Sequence, residues 1–142
     1  MKFKKMFLVV ILILIVFISG CGTVKNSKLD VEERELHNGD STNLTLNINY
    51  EGLFGTIPEP QSFSVQFITG KHLEVRSDVS GPNIEKDIIF NVTEGKNPKS
   101  YYLVAKNLYS GQEVETVEVV LTSNDGEITY KTRSDFILIK SR

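Results

Sequence analysis

An all-β antiparallel sandwich is the fold class that this 142-residue sequence predicts, and three observations carry it. After residue 29, apolar and polar residues alternate through most of the chain, the pattern of strands with one buried face. Clusters of Gly, Asn, Asp and Pro recur between these runs as turn signals. No later stretch sustains the i, i+3, i+4, i+7 apolar stripe of an amphipathic helix. The spacing corresponds to about seven or eight short strands, after an N-terminal signal helix.

The elements follow in order. Leu44, Leu46, Ile48 and Tyr50 alternate with Thr45, Asn47 and Asn49, which makes one long half-buried strand. Phe63, Val65 and Phe67 repeat the pattern, and Leu73 and Val75 continue it over a shorter span. Ile88, Phe90 and Val92 form the next inward set, with Ile89 facing outward. Tyr101, Leu103 and Ala105 follow, with Tyr102 and Val104 on the opposite face. Residues 113–122 and 127–139 are rich in β-branched residues and read as two further runs. Between them, Asp125-Gly126 is a preferred type I′ pair, because glycine accepts positive φ without steric cost. A two-residue loop there sets Leu121 opposite Tyr130, Val119 opposite Thr132 and Ser123 opposite Ile128.

The N-terminus has a different character. Phe7 to Ile18 is an unbroken apolar run preceded by Lys2, Lys4 and Lys5, and small residues follow it. That is the layout of a secretory signal, and the run is shorter than the roughly 20 residues that span a bilayer. Ile18-Ser19-Gly20-Cys21 resembles the bacterial lipobox: an aliphatic residue, two small residues and a cysteine. The resemblance implies a diacylglyceryl group on Cys21, cleavage between Gly20 and Cys21, and a protein anchored at the extracytoplasmic face of a cell membrane. Cys21 is the sole cysteine, so it has no internal disulfide partner, and lipidation accounts for an otherwise odd thiol in an exported chain. Two acyl chains give stable anchoring where one gives only marginal binding. The organisation expected is a signal peptide over 1–20, the lipidated cysteine and a short polar tether over 21–28, and one domain over 29–142.

The domain itself resembles the immunoglobulin-like modules of bacterial cell surfaces. The residues that carry this are the turn and strand Gly39-Asp40-Ser41-Thr42-Asn43-Leu44-Thr45-Leu46-Asn47-Ile48 and the final hairpin from Val117 to Ile139. It has neither the cysteine pair nor the tryptophan of antibody-type domains, since the chain contains no Trp.

Charge excludes one class of partner. The chain has 16 Lys+Arg and 18 Asp+Glu, and loss of the three N-terminal lysines leaves a net charge of −5. Nucleic acid requires a basic footprint, so it is not a partner. His37 and His72 lack metal-ligand spacing, and the sequence holds no nucleophile elbow, so no cofactor, metal or catalytic set is expected. Glu32, Glu33 and Glu35, and Glu113, Glu115 and Glu118, read as solvated charged faces. Asn124-Asp125-Gly126-Glu127 reads as a turn, because calcium wants six to eight oxygen ligands. One loop stands out. Glu51 to Pro60 is rich in Gly and Pro yet carries Leu53, Phe54 and Ile57, which either plug the open end of the sheets or form a contact patch. Tyr102 is the other candidate for a binding surface, since tyrosine combines an apolar ring with a polar tip. The function expected is a non-enzymatic binding module with a membrane anchor on Cys21 and an envelope protein as partner. The alternative is an inhibitor or exclusion factor acting on an envelope protease, a phage or a conjugative element.

Overall fold

The computed structural model describes residues 22–78, 84, 88–124, 126 and 129–142. The signal segment 1–20 and Cys21 lie outside the described residues. Eleven strands occur among those described: β1 (Gly22–Val31), β2 (Glu35–His37), β3 (Ser41–Gly52), β4 (Gln61–Thr69), β5 (Leu73–Arg76), β6 (Ile88–Val92), β7 (Gly95–Ala105), β8 (Gln112–Glu115), β9 (Val117–Ser123), β10 (Thr129–Arg133) and β11 (Ile137–Lys140). They form an immunoglobulin-like sandwich. Sheet I has the order β1-β3-β7-β5, sheet II the order β10-β9-β4-β6, and a smaller sheet III the order β2-β11-β8. All pairs are antiparallel except β2 with β11.

The inner faces are those the alternation marks. Leu44, Leu46, Ile48 and Tyr50 from β3 meet Phe63 and Val65 from β4 and Val117, Val119 and Leu121 from β9, all buried. Phe63 lies between two tyrosine rings, with centroids 6.3 Å from both Tyr50 and Tyr130 in edge-on geometry. Phe67 meets Tyr101 the same way at 4.9 Å. The β9–β10 register places Leu121 against Tyr130 and Val119 against Thr132. This is the pairing the Asp125-Gly126 turn requires, and Gly126 has φ +74. Asp125 and Ile128 themselves lie outside the described residues.

The described residues hold eleven strands where the spacing of the sequence predicts about seven or eight, and the two largest departures lie at the ends of the chain. Residues 22–28, expected as a tether, are strand from Gly22 onward and pair with β3, with Gly22 opposite Gly52. The register shifts between Val24 and Asn26, and such a bulge changes the phase of the alternation. Val24 and Leu29 therefore both face the core despite their odd separation. The run 127–139 is likewise two strands. At Ser134 the chain leaves sheet II: its N–H donates to the Val117 carbonyl at 2.8 Å, and its hydroxyl accepts from the Val117 N–H at 2.9 Å. The partner run breaks between β8 and β9 at Thr116. Both arms thus change sheets at one level, and β11 inserts between β2 and β8, burying Leu36, Ile137 and Ile139.

Candidate functional site

The sandwich has two ends. At one, β1 begins, β3 passes into the 53–60 loop, and β6 turns into β7. Asn97 closes that last turn: its Oδ1 accepts from the Thr93 N–H at 3.0 Å, and its Nδ2 donates to the Thr93 carbonyl at 2.8 Å and towards Ile48 at 3.1 Å. The other end carries the 106–111 loop and sheet III.

The 53–60 loop leaves β3 through Gly52, where a Cβ would overlap the Thr56 carbonyl. Only glycine lets the loop fold so closely over its own root. Leu53 to Gly55 make a single 3-10 turn, closed by Thr56 N–H and hydroxyl donating to the Leu53 carbonyl at 3.1 and 2.5 Å. Phe54 sits in the left-handed region with φ +54, a conformation that costs a bulky residue of order 1–3 kcal/mol. Its side chain is 90% exposed, Ile57 74% and Leu53 38%. The loop is therefore a projecting apolar patch and does not plug the sheets. Tyr102 lies elsewhere. It pairs with Asn43 on the outer face of sheet I and lines an open groove with Asp30, Glu32 and Ser100. Asn43 is nine residues up β3 from Gly52, so about 30 Å separates Tyr102 from the loop. The four residues expected to share a binding surface therefore fall into two.

One charged cluster escaped the sequence reading. Glu74 on β5 is buried, accepting from Lys106 Nζ at 2.9 Å and from Arg76 Nε at 2.6 Å. Burial pushes the Glu74 carboxyl up, but the hydrogen bonds and charges of Lys106 and Arg76 outweigh it and hold the group below the ordinary carboxylate range. Nearby, His72 is buried, with Nδ1 3.2 Å from the Lys106 carbonyl and its N–H donating to Glu115 at 3.3 Å. A Glu between Leu73 and Val75 reads as solvated, so the pattern gave no sign of its burial. A depressed pKa stabilises the fold fully above the unfolded value near 4.3, and that contribution is lost as pH falls through the folded value. Glu74→Gln is accordingly expected to cost about 1–3 kcal/mol at pH 7. It should also remove part of the stability loss expected as pH falls below the ordinary carboxylate range, as followed by denaturant titration.

In the other acidic clusters Glu32, Glu33, Glu35 and Glu113 face solvent, while Glu115 and Glu118 are half-buried. Glu35 pairs with Lys140 at 2.6 Å and Glu118 with Arg133 at 3.3 Å, while Glu32 accepts from Asn43 Nδ2 at 2.6 Å. Tyr101 is buried, its hydroxyl pushed up to about 12 by desolvation. Among the described residues, no group of three or more His, Cys, Asp or Glu could hold a metal ion, and no helix is long and apolar enough to cross a membrane.

Known proteins resemble this chain in fold. No family model matches it, and no curated protein does. Among solved structures it is similar to a conjugative transposon lipoprotein from Bacteroides eggerthii, at TM-score 0.52 and 13% identity, over 80% of this chain and 97% of that one. It is also similar to a FixG-related protein from Vibrio parahaemolyticus, at TM-score 0.53 and 12% identity, over 81% and 95%. A third likeness is to the alpha-2-macroglobulin of E. coli, at TM-score 0.53 and 18% identity, over 81% of this chain and 7% of that one. At these identities the likeness is one of fold. Function lives in sites grafted on such a fold.

Proposed function

We propose that this protein is a lipid-anchored, non-enzymatic binding module at the extracytoplasmic face of a membrane. The observation that carries the reading is that β1 begins at Gly22, one peptide bond after the cysteine of Ile18-Ser19-Gly20-Cys21. With diacylglyceryl on Cys21 Sγ, no tether intervenes, because neighbouring Cα atoms stand only about 3.8 Å apart. A domain held so reaches no further than its own length, roughly 40 Å for the longest strand. Its partners must then lie at that height, and a protein of the envelope is the class that fits. The Tyr102 groove on the outer face of sheet I is the surface offered to it. An inhibitor or exclusion factor is the narrower form of the same reading, and unchanged phage and plasmid entry after gene deletion would remove it.

The test is crosslinking on intact cells with the tagged full chain, beside a Cys21→Ala variant. The wild-type chain is expected to fractionate with membranes, to carry the added mass of a diacylglyceryl group on Cys21 and to capture a defined envelope protein. The variant should lack the added mass and keep the apolar run Phe7–Ile18. An unmodified Cys21 thiol in the membrane-bound wild-type chain would rule out the thioether anchor. Recovery of glycan fragments without protein would move the reading to carbohydrate binding.

A further inference from the structure

We propose that the Leu53–Ile57 loop is a second membrane contact, entering the headgroup–acyl boundary of the bilayer beside the lipid anchor. The inference rests on the anchor reading and adds to it an orientation for the whole domain.

Position is the first argument. Gly22 and Gly52 are register partners in an antiparallel pair, so their Cα atoms lie within about 5.5 Å. Cys21 precedes Gly22 and Leu53 follows Gly52, which sends the two chains out of the same end of sheet I. The residue bonded to the acylated cysteine and the root of the apolar loop are thus neighbours at one end of the sheet. Chemistry is the second. Leu53-Phe54-Gly55-Thr56-Ile57-Pro58 contains no charged residue, and its polar Thr56 already donates its hydroxyl to the Leu53 carbonyl. Glu51 at the loop's root is ion-paired with Lys25 at 3.2 Å. Residues 53–58 therefore carry little that resists leaving water, while the exposed Glu59 just beyond them stays at the headgroup level. Its geometry is the third argument: a left-handed Phe54 backbone, held by the Thr56 contacts, projects the ring outward. The exposed side chains at the opposite end, Tyr109 and Phe136, then face away from the membrane. Contact through apolar side chains, with no basic cluster in the loop, makes the interaction insensitive to salt.

The chain has no tryptophan, so Phe54→Trp installs a single reporter at an exposed position. The lipidated full chain, purified from cells, is placed in phosphatidylcholine vesicles with or without lipids brominated on the acyl chain. Flotation reports the anchor, and tryptophan emission reports the loop. Expected are co-flotation, blue-shifted emission and strong quenching by brominated lipid for Phe54→Trp, unchanged by added salt. Tyr109→Trp should float equally, with the emission of a solvated indole and no quenching. Adding Ile57→Ser to Phe54→Trp should remove most of the quenching while leaving flotation intact. Flotation with a solvated, unquenched Phe54→Trp would overturn the loop contact and leave the anchor standing. Blue-shifted emission without lipid quenching would also overturn it, because the ring would then be covered by protein, as in contact with a second copy. A chain that fails to float would reject the anchor and this contact together.

Discussion

Tyr50→Ala is expected to destabilise the domain by about 3–5 kcal/mol, the cost of truncating a large buried aromatic. Tyr50 is buried near the end of the sandwich where β1 begins, and it joins three elements. Its ring packs edge-on against Phe63 of β4, and its hydroxyl donates to Gln61 Oε1 at 2.8 Å. The ring also occupies the space a Cβ at Gly22 would need, so it lies directly over the first residue of β1. Removal opens a cavity and frees the start of β1 from its cover. Equilibrium unfolding should show the global loss, and amide exchange should show the largest local loss around Thr23 and Val24. Tyr50→Phe keeps the ring and loses one hydrogen bond, so it should cost only about 1 kcal/mol. A Tyr50→Ala variant as stable as the parent would mean that β1 is not held by this packing.

Leu36→Ala should cost about 2–5 kcal/mol, although Leu36 belongs to a strand of three residues, too short for the alternation to mark it as buried. A solvated loop leucine would cost within about 0.5 kcal/mol, so thermal or denaturant unfolding separates the two readings cleanly. Leu36 is fully buried, and Ile139 of β11 is its parallel register partner. The Leu138 N–H donates to the Arg34 carbonyl at 2.7 Å and fixes that pairing. Truncation leaves a hole between sheet III and the main core that Ile137 and Ile139 cannot fill without moving backbone.

These two variants also mark where sequence was legible and where it was not. Leu44 to Tyr50 and Val117 to Leu121 declare themselves, because nothing interrupts their alternation and each has one wet face. The final hairpin declares even its register, since Asp-Gly permits one turn geometry and that geometry pairs the apolar faces. β1 hides behind its bulge, which puts Val24 and Leu29 out of phase. Sheet III hides because β2 is too short to show a period and both arms of the hairpin change sheets without any break in β-branched composition. For the candidate surface, the residues were legible but their placement was not. Leu53, Phe54 and Ile57 stand out as apolar residues among turn formers, yet whether they fold inward depends on the Phe54 backbone, which composition does not reveal. Glu74 gave no signal, since a buried carboxylate with two cations looks like any outward charge on a strand.

The parallel pairing of β2 with β11 has a consequence for the order of events in folding. Glu35 meets Leu138, so the contact joins positions about a hundred residues apart, and topologies rich in such distant contacts fold slowly. As the chain is made from its N-terminus, β2 appears early and stays unpaired until β11 has followed it. Sheet III therefore assembles only after nearly the whole described domain has been synthesised, and Leu36, Ile137 and Ile139 reach their burial last.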